Sequence, residues 1–69
     1  MRLTKNISGI NYRMSTQVES DCSVTITIKS QYSDLPVFCK RYGKSIEKAV
    51  MQGWRDYDNI RLQLIANKL

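Results

Sequence analysis

No histidine occurs anywhere in this 69-residue chain. Histidine is the commonest general base and metal ligand near neutral pH, so its absence weighs against acid–base, nucleophilic and metal-assisted catalysis together. Cysteine is nearly as scarce. Cys22 and Cys39 stand alone, too few for a disulfide framework. Without histidine they supply neither a zinc-ligand set nor an activated thiol pair. Both fall in strand-like alternating runs, which reads as two buried, reduced thiols; a Cys22–Cys39 bridge would require neighbouring strands and an oxidising compartment. The three glycines, Gly9, Gly43 and Gly53, are dispersed, so no glycine-rich phosphate loop exists. No run approaches the ~20 apolar residues that span a bilayer. Residues 1–14 lack the apolar segment of a secretory signal, so a cytoplasmic protein is expected. In that compartment the Asn6-Ile7-Ser8 triplet is a chance match to a glycosylation acceptor.

Acidic residues are also few: six Asp and Glu against eleven Lys and Arg, for a net charge of +5 and a pI near 9.5. Such a balance suits nucleic acid, an acidic protein surface or an acidic membrane. The carboxylates do not gather. Asp56 and Asp58 are two apart in a helical stretch, so they diverge and read as solvated helix surface. No enzymatic activity, metal or cofactor is expected.

The dominant feature is the stretch from Ser45 to Leu69, which contains no proline. Ile46, Val50, Trp54, Tyr57, Ile60, Leu64 and Ile65 recur at steps of three and four, with Ala49 and Gly53 on the same side. That period predicts one amphipathic helix. Ser45 is a suitable N-cap, since its hydroxyl can accept from a free backbone N–H in the first turn.

Upstream, the period is two. Ile10, Tyr12, Met14, Thr16 and Val18 alternate with Asn11, Arg13, Ser15 and Gln17, which predicts a half-buried strand. Glu19-Ser20-Asp21 is a polar break. Cys22, Val24, Ile26 and Ile28 then alternate with Ser23, Thr25, Thr27 and Lys29 in a second strand dense in β-branched residues. The two form an antiparallel hairpin. After the Ser33–Pro36 turn, Val37–Tyr42 reads as a short third strand at a sheet edge, with a short helix over Leu35–Tyr42 as the rival reading. Residues 1–9 are a flexible arm or an extra strand, with Gly9 at a bulge or bend.

The expected architecture is a single α+β domain covering residues 1–69, with a three-stranded antiparallel sheet packed against one long C-terminal helix (βββα). Tyr12, Met14, Val24, Ile26, Ile28, Phe38, Val50, Trp54, Tyr57 and Leu64 form the expected core. The other sheet face, of Ser, Thr, Gln, Arg and Lys, is left for water or a partner. Met51, Leu62, Ile65 and Leu69 form a second apolar strip, a candidate dimer or partner contact.

Over about Cys22–Ile60, the order of motifs resembles the HicB-type antitoxin domain, a partial ribonuclease-H-like βββα unit. Tyr32-Ser33-Asp34-Leu35-Pro36 occupies the position of that family's Asp-Leu-Pro-Gly turn. Phe38-Cys39 and Gly43 follow, and Ser45-Ile46-Glu47-Lys48-Ala49 opens the helix. Val37 stands where the family has Gly, and the helix is less acidic than the family's. The resemblance implies a small protein that binds and restrains a protein partner.

The basic residues suggest where. Lys40, Arg41, Lys44 and Lys48 are the densest group, and Arg55 shares the polar helix face with Lys48. Three functions follow from these features. The first is a non-enzymatic inhibitor or antitoxin-like protein acting on a nuclease or defence complex, bound through the third strand and the basic loop. The second is a DNA- or RNA-binding regulator using the same cations. The third is a structural homodimer formed through the apolar strip.

Overall fold

The computed structural model describes the backbone of residues 1–67 and the side chains of residues 1–66. Four strands, β1 (Thr4–Ile7), β2 (Ile10–Val18), β3 (Val24–Ser30) and β4 (Pro36–Tyr42), precede one helix, α1 (Ile46–Asn67). The sheet is antiparallel throughout, in the order β1-β2-β3-β4. It therefore has four strands rather than three, and the N-terminal arm supplies the extra one.

The cause is local. Ser8 and Gly9 take φ of 53° and 84°, the mirror-image pair of angles that a two-residue hairpin turn requires. Gly9 is thus a turn residue, not a bulge in a continuous strand. Asn6 reinforces the turn by accepting from the Gly9 amide (3.2 Å) and donating to the Asn11 side chain (2.9 Å). The arm is held further back too, where the Trp54 indole donates to the Arg2 carbonyl (2.8 Å) and the Met14 amide to Leu3 (2.7 Å).

The second turn exposes a thiol expected to be buried. Cys22 takes φ of 69° and belongs to the turn that Asp21 stabilises by accepting from the Ser23 amide (3.0 Å) and hydroxyl (2.5 Å). Cys22 is therefore exposed, and β3 begins only at Val24. Cys39 is exposed as well. Its neighbour Phe38 faces the core, so strand alternation turns Cys39 outward, opposite Thr27. Both thiols are free.

Segment 36–42 is a strand. Pro36 opens it, one of the few strand positions that tolerates a missing N–H. Lys29 pairs with Pro36 and Ile28 with Phe38, so Val37 is bulged out between them.

The helix starts where expected, with the Lys48 amide donating to the Ser45 hydroxyl (3.3 Å) and the Ala49 amide to the Ser45 carbonyl (2.9 Å). Val50, Trp54 and Tyr57 pack on Tyr12, Met14, Val24, Ile26, Ile28 and Phe38, with Ala49 beside them. Tyr57 stands edge-on between Tyr12 (5.3 Å) and Phe38 (6.1 Å). Leu64 departs from expectation. It keeps its helical phase but is 57% exposed, because α1 is ~33 Å long whereas β3 and β4 have seven residues each, ~23 Å. The helix runs past the end of the sheet, and Leu64 has nothing beneath it. No helix of the described residues is long and apolar enough to cross a membrane.

Gly53 lies at the closest approach of helix to sheet. A Cβ there would sit 3.0 Å from Ile26 Cγ2 and 3.1 Å from Met14 Cε. Alanine at this position would gain ~0.8–1 kcal/mol of helix propensity, but crowding a fully buried β-branched residue costs roughly 1–3 kcal/mol. Gly53→Ala is therefore expected to lose about 1 kcal/mol net in urea denaturation. A gain in stability would show that the helix is not seated this tightly.

Candidate functional site

The site is set by how the helix uses its few acids. Asp56 and Asp58 leave α1 on opposite flanks, since two residues turn the helix through ~200°. One reaches each outer strand. Asp58 pairs with Lys5 of β1 (3.2 Å), and Lys5 also lies 5.9 Å from the centre of the Trp54 ring. Asp56 accepts from the Tyr42 hydroxyl (2.6 Å), from Gln52 (2.9 Å) and from Lys40 (3.3 Å). Neither carboxylate is mere solvated surface, and the Asp56 side chain is only 19% exposed. Sequence spacing showed that they diverge; it could not show that a sheet edge lies within reach of each.

This arrangement divides the basic residues. Lys40 and Arg41 are adjacent in a strand and so face opposite sides of the sheet. Lys40 lies on the helix side, bound to Asp56 and 5.4 Å from the Tyr42 ring centre. Arg41 lies on the outer face, beside Glu19 (3.9 Å), whose carboxylate also accepts from the Thr25 hydroxyl (2.7 Å). The four-residue group 40, 41, 44, 48 is therefore not one patch. Lys44, Lys48 and Arg55 do come together. They line a groove of about 490 Å³ between the end of β4 and the helix, with Tyr42, Ala49, Met51 and Gln52. None of the three cations forms an ion pair with a described residue.

The apolar strip is broken. Met51 belongs to this groove, while Leu62 and Ile65 lie eleven and fourteen residues further on, past the sheet. Arg55 and Asp58 intervene on the same helix face. All three apolar residues are more than half exposed; Leu69 lies outside the described residues. Among the described residues no group of three or more Cys, Asp or Glu is placed to hold a metal.

A second surface escaped the sequence reading as a site. On the outer sheet face Arg13 of β2 stands directly opposite Lys29 of β3, and both line a hollow of about 270 Å³ with Ser15. Alternation placed each residue outward, but only the register makes them partners.

The Tyr42 hydroxyl, the Gln52 amide and the Lys40 ammonium hold the Asp56 carboxyl below the usual carboxylate range. Burial, then Asp56 itself, pushes Tyr42 well above the ordinary phenol value. The lowered carboxyl stabilises the fold above its unfolded pKa, ~3.9, and that contribution is lost as pH falls through the folded value. The raised phenol contributes below its unfolded pKa, ~10, and its contribution is lost as pH rises beyond that. Asp56→Asn should lower neutral-pH stability by about 1.5 kcal/mol, the low end for a hydrogen bond to a charged group because the site is partly solvated. It should also flatten the loss of stability below about pH 4. Urea titrations across pH measure both effects; an acid limb identical to that of the parent protein would contradict this account of Asp56. The chain matches no protein-family model, no curated protein and no solved structure.

Proposed function

We propose that this chain is a non-enzymatic binding module, antitoxin-like or inhibitor-like, that restrains a protein partner by taking up an acidic segment beside β4. The observation that carries the reading is the groove at the end of β4. Lys44, Lys48 and Arg55 line it together with Ala49 and the exposed Met51, and among the described residues none of the three forms an ion pair. An acidic chain would meet three cations around an apolar centre, the pattern of a protein interface rather than of a small-ion site.

The strand beside the groove suits the same partner. β4 is an outer strand, so its outward backbone groups are open to an added strand. Pro36 and the bulge at Val37 blunt its beginning. Phe38–Tyr42 is left as the pairing stretch, and it leads directly into Gly43 and the groove. Lys40, the natural guard of such an edge, is drawn aside to Asp56. The HicB-type resemblance favours a partner of this kind, and the Asp34-Leu35-Pro36 turn and Ser45 cap that carry it bracket β4.

The experiment is capture by the tagged chain from nuclease-treated lysate of its source cells, followed by titration of the recovered protein. Wild type and Leu62→Asp should retain one protein at defined stoichiometry. Lys44→Glu/Lys48→Glu should bind it about a hundredfold more weakly, on the order of 1.4 kcal/mol per reversed charge. Full binding by the double variant, or capture of nucleic acid alone, would overturn the reading.

A further inference from the structure

The outer face of the sheet is a different surface from the groove, on the side of the sheet away from the helix. Its residues fall in rows fixed by the register. Thr4, Arg13, Lys29 and Pro36 form one row, Ser15, Thr27 and Cys39 the next, and Gln17, Thr25 and Arg41 the third. Arg13 and Lys29 are opposed on adjacent strands ~4.8 Å apart. Like charges in that relation destabilise a sheet, and among the described residues neither forms an ion pair. Glu19 lies at the far end of the face, engaged with Thr25 and Arg41. Asp21 is bound within its own turn to Ser23. Asp34, in the turn preceding Pro36, forms no ion pair with either cation. The remaining carboxylates belong to the helix, on the other side of the sheet.

We propose that this face binds the phosphodiester backbone of nucleic acid, with Arg13 and Lys29 on either side of a phosphate. Three observations favour that ligand. A phosphate cancels the repulsion that the fold leaves standing, through the Arg13 guanidinium fork and the Lys29 point charge. The neighbouring donors are the hydroxyls and amides that commonly contact phosphate and sugar: Thr4, Asn11, Ser15 and Thr27. Finally, these rows carry no aromatic, and their apolar members are Pro36 and Cys39, at the β4 edge. That excludes base stacking and leaves out the buried anchors on which protein interfaces depend. Binding is thus to the backbone and indifferent to sequence. A second hollow, of about 670 Å³ and lined in part by Arg2, Thr4 and Arg13, extends the cationic row toward the N-terminus.

Fluorescence anisotropy with a labelled mixed-sequence single strand and with a duplex, over a range of salt, tests this. Polyglutamate of similar length serves as the competing polyanion. At least one oligonucleotide should bind, more tightly than polyglutamate. Arg13→Ala/Lys29→Ala should weaken it and make the log–log salt slope shallower by about 1.4 for the single strand or about 1.8 for the duplex. Whichever form binds more tightly identifies the source of the backbone. Absence of binding at low salt, equal binding of polyglutamate, or an unchanged slope in the double variant would each overturn the proposal. So would loss of binding in Lys44→Glu/Lys48→Glu instead, which would assign the ligand to the groove. Circular dichroism confirms folding, which removal of opposed charges favours. Because the two double variants alter separate surfaces, failure here leaves capture of a protein partner by the groove intact, and the reverse also holds.

Discussion

The contact between Gly53 and Ile26 governs the rest of this small fold. A residue without a Cβ lets the helix backbone come this near the sheet without displacing Ile26 or Met14. Once the helix is there, Val50 and Trp54 lie over the β2–β3 hairpin, and Tyr57 reaches Tyr12 and Phe38. The same seating puts Asp56 beside β4 and Asp58 beside β1. One helix therefore buries one face of the sheet and ties both of its outer strands. A chain this short has little other means of closing a core.

That economy has an electrostatic consequence. Glu19, Asp21, Asp56 and Asp58 all hold internal bonds, to Thr25, Ser23, Tyr42 and Lys5 among others. Among the described residues, cations without ion pairs gather in two separate places. Lys44, Lys48 and Arg55 surround the groove beside β4, and Arg13 and Lys29 oppose each other on the outer face. Sequence positions grouped Lys40, Arg41, Lys44 and Lys48 as the densest basic cluster. The structure has two of different character. One is lined in part by Ala49 and Met51 and has an open strand beside it; the other is hydroxyl-rich, and its rows hold no aromatic. Those differences are why an acidic protein segment is proposed for the first and a phosphate backbone for the second.

Period was the reliable part of the sequence. The alternation through Tyr12 and Met14 and over Val24–Ile28, and the three-and-four spacing of Val50, Trp54 and Tyr57, located the core, whereas Thr16 and Val18 continue the β2 alternation but are exposed. Backbone angles and relative lengths were not legible in the same way. Nothing in the alternation signals that Cys22 lies in a turn at positive φ, or that Ser8-Gly9 turns the arm back as β1. Leu64 follows the helical period faithfully, yet the sheet ends before reaching it. The candidate site was only half legible for a related reason. Sequence distance grouped Lys40 with Arg41, whereas a strand sends neighbours to opposite faces. Cross-strand partners such as Arg13 and Lys29 meet only through register, which no local pattern reveals.

The central claim is that Arg13 and Lys29 face each other across β2 and β3 as a cation pair that no described carboxylate neutralises. A double-mutant cycle on unfolding free energy, with Arg13→Ala, Lys29→Ala and the double substitution, tests it most directly. The account predicts a repulsive coupling of roughly 0.2–1 kcal/mol that shrinks as salt screens it. A coupling of zero, or an attractive one, would contradict it.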